Sequence, residues 1–379
     1  MNTTAQGTPL QQAAQLRRAR AAVARRPQTP LLLEDIDVAS PRADEVLVRI
    51  VATGVCHTDI VCRDGFPVPM PIVLGHEGAG VVEAVGSGVT SVAPGDHVLL
   101  SFNSCGVCGN CNLHQPAYCH QFLGLNFGGM RLEDGSSALS KDGEKISGNF
   151  FGQSSFASLA IAHEVNTVKV DKALPLATLA PLGCGIQTGA GAVLNSLKVR
   201  AGSALVVFGG GAVGLSAVMA ARVADAKTIV LVEPKAARRA LALEIGATHV
   251  IDPNTENVAE AIQKLGGAHY AIDTTGIPAV IGTAIEVLLP NGQLGLIGVP
   301  PPDAPLPGTM MTPYIKGLGI KNIVEGDSEP KVFIPQLIEL FKSGRLPFDR
   351  MIQQFPFEQI NEAMAASENG SVIKPVLVF

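Results

Sequence analysis

The sequence predicts an α/β fold in which a doubly wound parallel sheet is joined to a β-rich lobe. Three observations carry that prediction. From about residue 186, short buried strands alternate with helical stretches, the signature of βαβ units. A glycine-rich turn separates the first of those strands from its helix. Residues 30–100 instead hold short β-branched runs divided by turn residues. A length of 379 residues suits about two domains.

In chain order, residues 1–17 form a polar tail running into a basic patch. They lack the apolar run of a secretory signal, and a transit peptide is the weaker alternative. The expected location is therefore cytoplasmic and reducing, where grouped cysteines bind metal more often than they pair. EVLVRIVATGV, IVLGHEGAGVVEAVG and PGDHVLL are predicted strands of an antiparallel, barrel-like lobe spanning residues 18–185. SALVVF, TIVLVE, HVID, YAIDTTG and QLGLIGV are the buried strands of a second unit, residues 186–324. Residues 325–379, with two amphipathic helices and the strand VIKPVLVF, return to the first lobe.

Composition excludes some partners. Net charge is −5, only 16% of residues are charged, and Lys and Arg are scattered. That argues against nucleic acid or an anionic membrane. The uncharged run AGSALVVFGGGAVGLSAVMAA, residues 201–221, is long enough to cross a bilayer. Its central glycines make it a strand, a tight turn and a helix instead.

Gly209, Gly211 and Gly214 form G-x-G-x-x-G directly after a strand. Such glycines permit a tight turn, backbone approach to a pyrophosphate, and close helix–strand packing. Glu233 ends the next strand, where a carboxylate would bind the ribose hydroxyls and repel a 2′-phosphate. This favours NAD over NADP, although Arg238 and Arg239 could accommodate a 2′-phosphate.

Four of the seven cysteines, Cys105, Cys108, Cys111 and Cys119, lie within 15 residues at spacing C-x₂-C-x₂-C-x₇-C. Four thiolates closing so short a loop suit a tetrahedral zinc with no open position. A ferredoxin-type run would need three residues before the last cysteine and a proline after it. His114 and His120 are read as loop residues, and Cys62 as a core thiol. Other candidates are dispersed: Cys56, His57, Thr58 and Asp59 in GVCHTD, His76 and Glu77 in LGHEG, and Cys184 in PLGCGIQTG. Each alone has an ordinary packing explanation, and spacing does not select among them.

GHEGAGVVEAVG, the four-cysteine lobe at 103–121, the late cysteine and the glycine-rich turn before Glu233 resemble the zinc-dependent medium-chain alcohol dehydrogenases. CRDGFPVPMPIVLGHEG, FFGQSSF, PLGCGIQTGAGA and IKPVLVF resemble its benzyl-, aryl-alcohol and geraniol dehydrogenase branch. The resemblance implies a Rossmann sheet plus a GroES-like catalytic domain, two zincs per subunit (one catalytic, one structural), and NAD. It implies Cys56, His76 and Cys184 as catalytic zinc ligands, with the alcohol oxygen in the fourth position and hydride passing from the alkoxide to nicotinamide. Asp59 would orient the zinc-bound histidine, and Glu77 would lie close to the metal. Thr58 would take the alcohol proton; where many relatives continue the relay with a histidine, this chain has Val61.

By the same resemblance, His57 and Lys374 would sit over the cofactor pyrophosphate. Thr188, Ile297 and Val299 would pack against the nicotinamide. Phe150 and Phe151 would line a pocket for a small apolar primary alcohol or aldehyde, allylic or aromatic. A homodimer is expected, with a tetramer as the alternative. The competing readings are oxidation of a hydroxymethyl-thiol adduct or polyol, and a non-enzymatic zinc-ribbon binding protein, which would leave the dinucleotide motif unexplained.

Overall fold

The computed structural model describes residues 16–379 except 302, 306 and 310; residues 1–15 of the expected tail lie outside the described residues. Leu205–Phe208 are an unbroken buried apolar run, as expected of a parallel strand covered on both faces. This strand, Ala204–Phe208, lies at the centre of a six-stranded sheet. On one side follow Thr228–Val232 and His249–Ile251; on the other Ala268–Asp273, Leu288–Leu296 and Gly319–Asn322. Every neighbouring pair is parallel. Counted along the chain, the order is 3-2-1-4-5-6, the doubly wound arrangement with its crevice at the end of the first strand. The run 201–221 divides into that strand and the helix Ala212–Val223. Among the described residues, no single helix is long and apolar enough to cross a membrane.

The first lobe holds a seven-stranded and a five-stranded sheet. Its longest strand, Glu45–Gly54, pairs antiparallel with Gly78–Val85, with Leu159–His163 and with the last strand, Lys374–Val378. The C-terminus is therefore built into the lobe formed by the first half of the chain. The β-branched residues Val46, Val48 and Ile50 alternate onto one buried cluster with Val82, Val98 and Leu100.

A buried ion pair fixes the segment after the cysteine cluster onto this lobe. Arg131 donates from Nε and Nη2 to the two carboxylate oxygens of Glu45 at 2.6 and 2.7 Å, and both side chains are nearly inaccessible. A bidentate fork this dry is costly to break from one side, because the survivor is left charged and unpaired. Arg131→Ala is therefore expected to lower unfolding free energy by about 3–5 kcal/mol. Urea denaturation measures it, and a loss below about 1 kcal/mol, the range of a surface pair, would contradict it.

Candidate metal centre and dinucleotide cleft

Three segments distant in sequence converge behind the cleft. Cys56 ends the stretch after strand Glu45–Gly54 and caps the helix His57–Asp64. His76 lies just before strand Gly78–Val85, and Cys184 precedes the helix Gly185–Gly191. One donor atom from each of Cys56, His76 and Cys184 lies within 4.8 Å of the others.

Asp59 organises two of these segments. Fully buried, it accepts from the backbone N–H of Cys56 at 2.9 Å and of Gly75 at 3.0 Å. Its Oδ1 also lies 2.9 Å from His76 Nδ1. That contact places the proton on Nδ1 and leaves Nε2 with its lone pair. His76 Nε2 is buried and has no hydrogen-bond partner. An orphaned imidazole nitrogen facing two sulfurs is a donor set that fits zinc, with the fourth position open. The neighbouring Cys184 side chain draws the Cys56 thiol well below its ordinary value, against the cost of burial.

Phe150 and Phe151 are buried against the histidine: Phe151 stacks on His76 at 4.4 Å, and Phe150 meets it edge-on at 5.5 Å. Both rings therefore brace His76 besides standing near the centre. Gln153 locks the same loop, donating to the carbonyls of His76 and Ser101 and accepting from Gly78 N–H, each at 3.0 Å.

Behind the centre, Lys374 donates to both oxygens of Glu77 at 2.9 Å and to the Val55 carbonyl at 3.1 Å. Both side chains are buried. The ammonium expected over a pyrophosphate is thus committed to Glu77, and Glu77 in turn accepts from Gly185 N–H at 3.0 Å. His57 is exposed on the first turn of its helix. Thr58 Oγ1 is 3.8 Å from Cys56 Sγ, and Val61 is 41% exposed, with no titratable group in its place.

The four-cysteine lobe closes as its spacing requires, with the donor sulfurs of Cys105, Cys108, Cys111 and Cys119 within 4.8 Å of one another. Backbone N–H groups point at the sulfurs: Cys105 at Cys119, Cys108 at Cys105 and Gln121 at Cys119, at 3.3–3.4 Å. Such donors stabilise thiolates. The Cys108 thiol is lowered to about 6, first by backbone N–H donation from the His120 side.

In the cleft, Gly209 has φ +96, and a Cβ on Gly214 would lie 1.9 Å from the Gly209 carbonyl. Both positions therefore require glycine. A Cβ on Gly211 would meet nothing within 4 Å, so its backbone faces open space at the helix N-terminus, where a pyrophosphate fits. Glu233, buried, accepts from Gly210 N–H at 2.7 Å and Lys235 N–H at 2.8 Å. Arg239 is engaged by Asp252 at 2.9 Å, whereas Arg238 pairs with Glu233 at 4.0 Å and keeps a buried, unpartnered Nε. Thr188 is buried in the middle of its helix, Ile297 is half-buried, and Val299 is 88% exposed, so core packing does not account for it.

Residues 42–172 match the alcohol dehydrogenase GroES-like domain, and residues 212–343 match the zinc-binding dehydrogenase domain. Over 364 residues, covering 95% of this chain and 98% of the relative, the sequence is 54% identical to geraniol dehydrogenase of Castellaniella defragrans. The chain belongs to the zinc-dependent medium-chain alcohol dehydrogenases. Two solved members of similar structure are an alcohol dehydrogenase zinc-binding domain protein from Burkholderia ambifaria and benzyl alcohol dehydrogenase from Acinetobacter calcoaceticus. The first is 51% identical with TM-score 0.94, and the second 42% identical with TM-score 0.93. Each alignment covers 96% of this chain and all of the other.

One residue of this dehydrogenase's centre escaped the sequence reading. Glu325 is buried, 3.5 Å from Cys184 Sγ, and accepts from Thr188 Oγ1 at 3.3 Å. Burial pushes its carboxyl up to about 7. The one signal was an acidic residue after an apolar stretch in NIVEGDSEP, and nothing there marks it as buried.

Asp59→Asn is expected to weaken metal binding at the Cys56, His76 and Cys184 site by about 10–100-fold and to leave the four-cysteine site loaded. Chelator competition followed by metal counting measures both, and equal retention at the two sites would contradict the assignment.

Proposed function

We propose that this zinc alcohol dehydrogenase reversibly oxidises primary allylic or aromatic alcohols, of the geraniol, perillyl, cinnamyl and benzyl type, to aldehydes, passing hydride to NAD. The observation that carries the chemistry is the orphaned His76 Nε2 facing Cys56 and Cys184. The substrate class is supported by the relatives named geraniol dehydrogenase and benzyl alcohol dehydrogenase.

Cys56, His76 and Cys184 would hold the catalytic zinc, and Cys105, Cys108, Cys111 and Cys119 the structural one. The catalytic zinc supplies Lewis acidity at the substrate oxygen and lowers the pKa of its hydroxyl. Asp59 holds His76 in the tautomer that leaves Nε2 free. Glu77 and Lys374 neutralise one another behind the centre, so Glu77 acts by charge balance at that distance. Thr58, at the outer end of the Cys56 segment, receives the substrate proton. With Val61 exposed beyond it, solvent completes the transfer.

Gly209, Gly211 and Gly214 would cradle the pyrophosphate, with His57 above it. Glu233 would bind the ribose hydroxyls, and its charge disfavours a 2′-phosphate despite Arg238. Thr188, Ile297 and Val299 would contact the nicotinamide, and Phe150 and Phe151 would wall the substrate side. The enzyme would act in the cytoplasm as a homodimer. The uncovered edge strand Gly319–Asn322, with Tyr314 and Ile315 exposed beside it, supports that pairing.

Thr58→Ala is expected to suppress alcohol oxidation at least about 100-fold, the lower range for a positioned proton acceptor, with two zincs still bound. Nicotinamide absorbance with geraniol, cinnamyl alcohol and benzyl alcohol, in NAD and in NADP, measures it. Near-normal turnover in that variant would sink the relay role, and preference for NADP would sink the role given to Glu233.

A further inference from the structure

The segment after the edge strand Gly319–Asn322 makes an unusual turn. Glu325, Gly326 and Asp327 all have positive φ, at 48°, 67° and 49°. Two non-glycine residues held left-handed around a glycine persist only where their surroundings over-determine them. Those surroundings are distinct on the two sides of the turn.

On one side it is pressed onto the segment that carries Cys184. Glu325 contacts Cys184 Sγ at 3.5 Å and accepts from Thr188 Oγ1 at 3.3 Å and Gln187 Nε2 at 3.5 Å. A Cβ on Gly326 would lie 2.5 Å from the Gln187 carbonyl, so the two backbones are in direct contact. Ser328 Oγ donates to Gln187 Oε1 at 2.9 Å.

On the other side the turn is held by the four-cysteine lobe. Tyr118, the residue before Cys119, donates its hydroxyl to Asp327 Oδ1 at 2.6 Å, and Ser196 Oγ donates to Asp327 Oδ2 at 2.6 Å. His114 of the same lobe pairs with Glu329 at 3.1 Å.

We propose that the Glu325–Asp327 turn is a clasp joining the two cysteine-containing centres: Tyr118 of the four-cysteine lobe holds Asp327, and Glu325 holds Cys184 in place. Glu325 is thereby a positioning residue for the catalytic ligand set. The lobe that never meets substrate acts on that set through the turn. This rests on the reading of Cys56, His76 and Cys184 as a zinc site.

The test follows zinc released from the full-length protein to 4-(2-pyridylazo)resorcinol, with bound metal counted by mass spectrometry. The catalytic zinc is identified as the one missing from Cys184→Ser. Glu325→Ala is expected to speed its release about 10-fold while the four-cysteine zinc stays bound. Glu325→Gln, which keeps the side chain's shape and an acceptor for Thr188, should restore most of the difference.

Tyr118→Phe leaves all four cysteines and should speed release of the same catalytic zinc by a smaller factor; it decides alone if Glu325→Ala does not fold. Unchanged release in Tyr118→Phe overturns the link to the lobe. Unchanged release in Glu325→Ala, even with a lower melting temperature, overturns the positioning role. Simultaneous loss of both zincs also overturns it. If the parent holds no zinc that Cys184→Ser removes, the functional reading fails instead, and the two failures are told apart.

Discussion

The contact between Asp59 and His76 is the one on which the rest of the centre depends. A neutral imidazole presents one donor and one lone pair, and whichever nitrogen is occupied by a fixed acceptor decides where the other points. Here a fully buried carboxylate takes Nδ1 at 2.9 Å, so Nε2 is aimed at Cys56 and Cys184 with nothing else to bond. The same carboxylate accepts from Cys56 N–H and Gly75 N–H. Its desolvation is offset by three polar contacts, and those contacts tie the Cys56 segment to the segment of Gly75 and His76.

Cys184, the third member of the cluster, is positioned differently. Cys184 lies at a break between two short helices, where its own backbone does little to fix the side chain. It is instead enclosed by Glu77 on one face, through Gly185 N–H, and by Glu325 on the other. Two carboxylates near two sulfurs would repel if all were charged. Lys374 compensates Glu77 at 2.9 Å, and Glu325 is shared between Cys184, Thr188 and Gln187. Electrostatics in this pocket are thus settled by partners supplied from the last strand and from the segment after the edge strand.

How much of this was legible in the sequence depends on how local each signal is. The doubly wound sheet was readable because strand runs, helical stretches and the glycine turn are contiguous. The four-cysteine lobe was readable because all its donors lie within 15 residues. The set of Cys56, His76 and Cys184 spans 129 residues and was assignable only through family resemblance. Glu325 was not legible at all. Its contacts with Cys184 and Thr188 come from a left-handed turn that follows the edge strand, which composition does not encode. Lys374 was legible as a cation, whereas its buried pairing with Glu77 was not.

That last pair explains why the chain returns to its first lobe. Lys374 begins the strand Lys374–Val378, whose partners Thr53 and Gly54 lie just before Cys56. Antiparallel pairing brings the ammonium up behind Cys56 and His76, where it bonds Val55 and Glu77 together. A Cβ on Gly54 would fall 1.9 Å from Glu77 Oε2, so the glycine is the opening that lets the carboxylate reach this position. A buried glutamate without that lysine would stay protonated or swing away, because an isolated charge is not tolerated at such depth. The final strand therefore completes the electrostatics of the centre as well as closing a sheet.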